Sequence, residues 1–521
     1  MDDQRKDAVA RALRSIAARI GAEAPEGWLR GRVRAECGAA SVLHHGTGYV
    51  MADGGRRDLG VPLGGLRKAY GLGGGSAEDL TVEMVVEPSG RFEALTSRAI
   101  TRMRHPDQEW FLHVLRPGTL PREPGADQDP PSDPTPAGDP EEAVRLFREY
   151  LGKRADILGQ EEVLPPPLDA AERAALLEDF HCELPPDLVA LYGEADGDHE
   201  IGLFHGHPWF GLESTTTHVH HHREWKWTDN PLWAMSGEAR PPGVIRRRLG
   251  SPSWIPFATS TGGDYLAVDM DPGPAGRPGQ VIRVGIHYDG APVYVADSVT
   301  AMLRRLVAAL DRGDYHEEDG YLDLDAGLPG HLGPGKSSWR GIAPLPGKRL
   351  RRLHSLAVDK VKDLDLEAVR TAPYLRSVAL FGEGPVDLRP LRETPLEALQ
   401  LHLDSVDLEQ LAGHPTLRVL SLATRDPVDL SVLRTFPRLE GLELPEAAVR
   451  GIGAIGELDG LLSLTLSFEQ WRELDEVPPL AAAGLGGDPT LAQVDEWAAR
   501  FTPDERLGGY EYHVGRVQPD R

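Results

Sequence analysis

The chain has 521 residues, 81 acids against 56 bases, and a formal net charge of −25, with 40% hydrophobic and 26% charged residues. That length is too great for one core and predicts about three units; the composition is that of a globular chain, and no run of about 18 apolar residues offers a membrane span. The acid excess argues against nucleic acid, where affinity comes from basic groups releasing counter-ions, and against anionic membranes; it either steers a basic protein partner toward the chain or serves solubility.

Residues 1–116 are expected to form a small α+β unit. The opening "MDDQRKDAVARALRSIAARI" is amphipathic, with Ala8, Leu13, Ile16 and Ile20 on one face and acids early, unlike a secretory signal. Alternating strands follow at "LRGRVRAEC", "GTGYVMAD" and "LTVEMVVEPSGRFEAL", the Pro88–Gly90 stretch reading as a hairpin turn. Residues 117–140, "PGTLPREPGADQDPPSDPTPAGDP", carry no hydrophobic period and read as a linker. Cys37 and Cys182 fall in different expected units. They supply no disulfide framework and no thiolate metal site, which fits a reducing cytoplasm.

The middle unit, 141–315, is expected to open with helices over "EEAVRLFREYLGK" and "DAAERAALLEDFH". Strands follow at "EIGLFH", "DYLAVDM", "QVIRVGI" and "PVYVAD", and the helix "SVTAMLRRLVAALDRG" closes it. A second linker is expected over 316–349. It contains "GHLGPGKS", Gly330 to Ser337, which satisfies the phosphate-loop pattern letter for letter. That chemistry needs a strand before and a helix after, and Gly341, Pro344 and Pro346 stand where the helix should run. No nucleotide is expected there.

From 350 to about 470 the chain repeats. "LHSLAV", "LRSVAL", "LEALQL", "LRVLSL", "LEGLEL" and "LLSLTL" begin at Leu353, Leu375, Leu396, Leu417, Leu439 and Leu461, at intervals of 22, 21, 21, 22 and 22. L-x-x-L-x-L at this period is the leucine-rich-repeat signature, in which each short strand needs a stacked neighbour to bury its leucines. The segments "VDLRPLRETP", "VDLEQLAGHP" and "VDLSVLRTFP" supply a second apolar ladder, and the asparagine that often ends the pattern is missing. Outward positions run Ser377, Ala379, Phe381; Ala398, Gln400, His402; Val419, Ser421, Ala423; Gly441, Glu443, Pro445. Such a face admits a protein partner, with Phe381, Gln400, His402 and Glu443 as contacts; the alternative is a spacer or dimerisation plate. Residues 471–521, with "TLAQVDEWAARF" and "YEYHVGRV", are expected to cap the repeats.

Two stretches suggest chemistry. "STGGDYLAVD" lacks the G-x-S-x-G elbow. Gly262 and Gly263 read as a hairpin turn, with Tyr265, Ala267 and Asp269 facing away from Leu266 and Val268. Asp264, Asp269 and Asp271 could line an acidic rim. "STTTHVHHHREWKW", Ser214 to Trp227, aligns His218, His221, His222 and Trp225 on one helical face. His218 and His222 form an i, i+4 pair of the kind zinc uses, and His199, His205 and His207 lie just upstream. H-E-x-x-H is absent, and the leading expectation is a part-exposed helix without metal or cofactor, anchored by Trp225 or Trp227.

The middle unit resembles the SUKH superfamily. The resemblance is carried by "LPPDLVALYGEADG" (Leu184 to Gly197), "WFGLES" (Trp209 to Ser214), "WIPFATSTGGDYLAVDMDP" (Trp254 to Pro272) and the closing "VADSVTAMLRRLVAAL". Ser298, Val299 and Met302 stand where the family's last helix usually carries aromatics. The resemblance implies a small α+β fold. It also implies a non-catalytic role, as an immunity protein that binds a toxin in bacteria or as a regulator of cell-wall synthesis in fungi. The first unit is similar to the YezG-like immunity family at "PEGWLRGRVRAE", "LGGLRKAY" and "LTVEMVVEPSGRFEAL". The combined expectation is an α+β multidomain chain: two α+β units and a leucine-rich-repeat solenoid. It would occlude a toxin; the competing expectations are a scaffold or regulatory adaptor and a metal-dependent hydrolase.

Overall fold

The computed structural model describes residues 3–38, 41–72, 79–105, 108–220, 225–260, 262–288, 291–318, 321–324, 337–502, 507 and 509–518. It is a mixed α/β chain whose described residues form sheets of ten, seven and four strands and one two-stranded ribbon. The first large sheet lays strands Trp28–Cys37, Gly48–Met51, Leu80–Val86 and Arg91–Ser97 against the helix Asp3–Ala22. Val9, Leu13, Ile16, Ala17 and Ile20 are the buried helix positions, so Val9 replaces Ala8 in the apolar stripe. Gly90 takes φ 77° at the hairpin turn, a conformation that favours glycine.

The repeat region forms a ten-stranded sheet. Strands Ser355–Val361, Ser377–Gly382, Ala398–His402, Val419–Asp429, Gly441–Arg450 and Ser463–Leu466 pair in parallel. The six leucines at 353, 375, 396, 417, 439 and 461 all lie in one continuous core. Short 3-10 turns form the opposite side. The aspartate of each "VDL" organises them: Asp387, Asp407 and Asp429 accept from the amides of Arg389 (3.0 Å), Glu409 (3.2 Å) and Ser431 (2.9 Å). Asp407 and Asp429 thereby act as the N-caps of their turns, and Asp387 makes the same bond from one residue further out. These bonds order the turns of a ladder that lacks the asparagine.

Strand pairing crosses the expected boundaries at both ends of this sheet. The hairpin Ile100–His105 and Gln108–Val114 continues the repeat sheet, with Gln108–Val114 antiparallel to Ala482–Leu485. The strand Ser338–Gly341, inside the expected second linker, forms the other edge. Near the C-terminus, Tyr510–Arg516 runs antiparallel to Arg91–Ser97 of the first sheet. His113, Trp497, Phe501 and Tyr510 pack ring against ring at this seam, with centroids 5.9–6.3 Å from His113. Burial pushes the His113 imidazole down to about 4, so it is a neutral core residue.

The middle unit is a four-stranded antiparallel sheet, ordered Val293–Ala296, Gln280–Gly285, Asp264–Asp269, Trp254–Thr259. Helices Pro140–Leu158 and Val299–Arg312 cover one face through Phe147, Leu303 and Leu306. Ala239, Val244 and Ile245 cover the other, against Trp254, Ala267 and Ile282. The "EIGLFH" segment is no strand: Gly202 and Gly206 take positive φ and leave a single bridge between Phe204 and His207. The 117–140 stretch is ordered along this unit. Gln128 accepts from Arg246 at 2.6 Å and Arg247 at 2.8 Å, Ser132 donates to Pro274 at 2.8 Å, and Asp139 caps the helix Pro140–Leu158.

Because Tyr510–Arg516 supplies backbone partners to an otherwise open edge, ending the chain at residue 509 should cost about 2 kcal/mol. That would lower the thermal midpoint by roughly 4–8 °C. Scanning calorimetry of the shortened chain checks this, and an unchanged midpoint contradicts the closure.

Candidate binding face of the repeat sheet

The outward face of the repeat strands begins with small residues, and the chain uses them itself. A segment of the middle unit, 225–250, crosses this face. Trp227 and Leu232, each 4% exposed, bury against Ala398, Val419, Ala481 and Ala482. Glycine at 441 makes room: a Cβ there would lie 2.8 Å from Leu232 Cδ1. One layer along, Trp233 Nε1 donates to Glu443 Oε1 at 2.8 Å. Burial holds the Glu443 carboxyl above its ordinary range, and the indole bond works against that shift.

Polar contacts close the rim. Arg247 meets Glu397 at 2.7 Å, which also accepts from Arg376 at 3.4 Å. Glu238 N–H donates to His354 Nε2 at 3.2 Å, and the ring is available as an acceptor because burial and nearby arginines push its pKa down to about 4. Trp227 Nε1 donates to Thr119 O at 3.1 Å, tying the 117–140 stretch into the same contact.

The expected partner residues therefore separate into groups. Gln400 and Ser421 are buried, and Glu443 is taken by Trp233. Phe381 and His402 remain half-buried at the other end of the face, ring against ring at 5.0 Å. Arg340 lies over Phe381 at 5.2 Å while holding Asp359 through two 2.9 Å bonds, and Gln400 Nε2 reaches His402 Nε2 at 3.1 Å. Trp225 is half-buried and lines a groove of about 430 Å³ with Pro117, Leu120, Pro121, Pro231 and Leu249. Trp227 is the deeper anchor of the pair.

The three aspartates do not share a rim. Asp264 holds His287 at 2.9 Å. Asp271 pairs with Arg246 at 3.1 Å and Arg248 at 2.7 Å. Asp269 is 0% exposed and accepts from Gln280 Nε2 at 3.0 Å and Asp271 N at 3.1 Å. Asp269 does face away from Leu266 and Val268, but the 239–245 segment covers that face and buries it. Gly263, at φ 81°, forms the hairpin turn that leads into the Asp264–Asp269 strand.

Of the histidines, His218 lies in the helix Leu212–His220. His221, His222 and the phosphate-loop residues 330–336 lie outside the described residues. His199 is exposed at a positive φ, whereas His205 and His207 are buried. Among the described residues no group of three or more His, Cys, Asp or Glu is arranged to hold a metal. Cys37 and Cys182 are free thiols, and burial pushes Cys37 up to about 11. Trp227 is an expected anchor, whereas Leu232 and Trp233, which pack in the same cluster, stand in a stretch with no strand or helix period to announce them.

Residues 167–305 match the family model for SMI1 / KNR4 (SUKH-1). Among curated relatives, a KNR4/SMI1 homolog of Yarrowia lipolytica is 34% identical over 99 residues, 18% of this chain and 14% of that protein. The glucan synthesis regulatory protein of Neurospora crassa is 38% identical over 79 residues, 15% of each chain. The cell wall assembly regulator SMI1 of Saccharomyces cerevisiae is 30% identical over 91 residues, 17% of this chain and 18% of that one. The chain thus spans less than a fifth of the length of these relatives. An internalin C2 structure from Listeria monocytogenes aligns over 23% of this chain and 54% of its own, with 21% identity and a TM-score of 0.21. No described helix is long and apolar enough to cross a membrane.

Asp269 gives a pH test of this arrangement. Burial raises its pKa from 3.8 to about 7, so between these values the folded chain holds a proton that the unfolded chain has lost. Stability from this carboxyl is full below about pH 4 and falls as pH rises toward 7. Denaturant unfolding of Asp269→Asn should lose on the order of 2–3 kcal/mol less than wild type between pH 5 and 8. Parallel profiles would contradict a buried, protonated Asp269.

Proposed function

We propose, for a chain that carries a SMI1/KNR4 (SUKH-1) domain, a non-enzymatic protein-binding role of the immunity type. It would neutralise a basic toxin domain in the cytoplasm by covering its active surface. The repeat ladder is read as a leucine-rich-repeat solenoid, and the N-terminal unit, with its YezG-like likeness, as a second module of the same kind. The observation that carries the reading is the family match over 167–305. Two features support it: the acid excess of 81 to 56, which favours encounter with a basic surface, and the half-buried Phe381–His402 pair, whose aromatic character suits an interface anchor.

The printed names of the fungal relatives favour a second reading, a regulatory adaptor that binds a cellular protein without a toxin target. Co-expression with toxin domains encoded beside the gene separates the two. Immunity predicts restored growth, with Phe381→Ala weakening the complex at least tenfold in a binding assay. Growth arrest that the wild-type chain never relieves contradicts it.

A further inference from the structure

Three consecutive prolines, Pro165 to Pro167, stand in "EEVLPPPLDAAE" between the helices Pro140–Leu158 and Ala170–Glu178. Each proline ring locks φ near −65°, and a residue that precedes a proline is pushed to an extended ψ. Leu164, Pro165 and Pro166 all precede a proline. The stretch is therefore held in the polyproline II conformation, with three residues per turn and no internal hydrogen bonds. Asp169, at φ −61° and ψ 159°, keeps the same geometry up to the next helix.

The threefold period sorts these residues into rows. Glu162, Pro165 and Leu168 form the row that the chain itself holds. Glu162 accepts from Arg154, which is 2% exposed, at 2.5 and 2.6 Å. Pro165 O accepts from Asp196 N–H at 3.3 Å. Leu168 packs on the core of the middle unit, and its carbonyl accepts from Arg173 Nη1 at 3.3 Å. The other two rows carry the exposed apolar groups. Val163 is 83% exposed, more than any other large apolar side chain among the described residues, and Pro166 and Pro167 are exposed as well. Among the described residues, nothing donates to the carbonyls of Val163 and Pro166. The longer proline-rich stretch at 117–140 offers no such ridge. There Asp133 accepts from Thr135 N–H at 3.0 Å, a side-chain turn that interrupts the extended run, and Arg277 clamps it through Thr135 O at 3.1 Å.

We infer that the ridge Val163–Pro167 is a docking ligand for a partner protein with a polyproline-binding groove, aromatic along its floor and basic at its rim. Such a groove takes two rows of a polyproline II helix between its aromatic rings and donates to the outward carbonyls. Two rows are what this chain leaves open, and the third is pinned to its own body. A ridge fixed at both ends is already in its bound conformation, so it loses little freedom on docking. Charge selects the rim. Glu161, Asp169 and Glu172 flank the prolines and are exposed, whereas Arg173 turns inward to the carbonyls of Leu168 and Tyr192. Acids on both sides, in a chain of net charge −25, favour encounter with a basic surface. This contact belongs to the middle unit and does not rest on the immunity reading.

Calorimetric titration of the full chain with purified EVH1, WW and SH3 domains tests this, the panel being chosen to include basic-rimmed and acidic-rimmed grooves. A basic-rimmed domain should bind saturably at one site per chain, at least tenfold more tightly than an acidic-rimmed one. Replacing both exposed prolines, Pro166→Ala with Pro167→Ala, should weaken that complex at least tenfold, whereas Pro134→Ala in the 117–140 stretch should leave it unchanged. Glu161→Lys should narrow the preference between the two kinds of rim. Should the double variant fail to fold, Val163→Asn decides, because that side chain stands almost wholly in solvent: weaker binding supports the ridge, and unchanged binding overturns it. The inference is also overturned if no basic-rimmed domain binds, if acidic-rimmed domains bind more tightly, or if the complex survives loss of both prolines.

Discussion

A ladder of short parallel strands buries its leucines only between neighbours, and its last strand presents an open row of backbone donors and acceptors. In this chain the strand Ala482–Leu485 would be that edge. Gln108–Val114, delivered from more than 350 residues earlier, pairs with it antiparallel. Tyr510–Arg516 then returns to cover Arg91–Ser97. The first unit and the repeat sheet thus share backbone ladders in both directions, and neither could be removed without exposing the other. The aromatic seam of His113, Trp497, Phe501 and Tyr510 is the packing that this exchange creates.

The middle unit depends on the same sheet in another way. Alanine, valine and glycine at the start of successive strands leave a shallow surface that Trp227, Leu232 and Trp233 fill. A larger residue at 441 would meet Leu232 directly. The consequence for function is that part of a face that could have received a foreign protein already holds the chain's own polypeptide. What the face still offers lies toward Phe381 and His402.

Local pattern carried much of this fold. Leucines at 21–22-residue spacing, the turn at Gly90 and the core of the middle domain were legible because each depends on residues close in sequence. Contacts between distant segments were not. Nothing in "NPLWAM" or "LEGLEL" announces that Trp233 will find Glu443 about two hundred residues on, or that Asp269 will be roofed by Val244 and Ile245. The histidine run drew attention through its density. Two sparser histidines upstream, His205 and His207, are buried, and that follows from tertiary packing alone.

The 226–235 segment is packed on the repeat face. Hydroxyl-radical footprinting of the full chain reads it directly, by comparing the oxidation rate of Leu232 with that of core Leu420 and exposed Leu29. Leu232 is 4% exposed, Leu420 0% and Leu29 55%. Leu232 should be protected to nearly the degree of Leu420, and oxidation of Leu232 at the rate of Leu29 would contradict the packing.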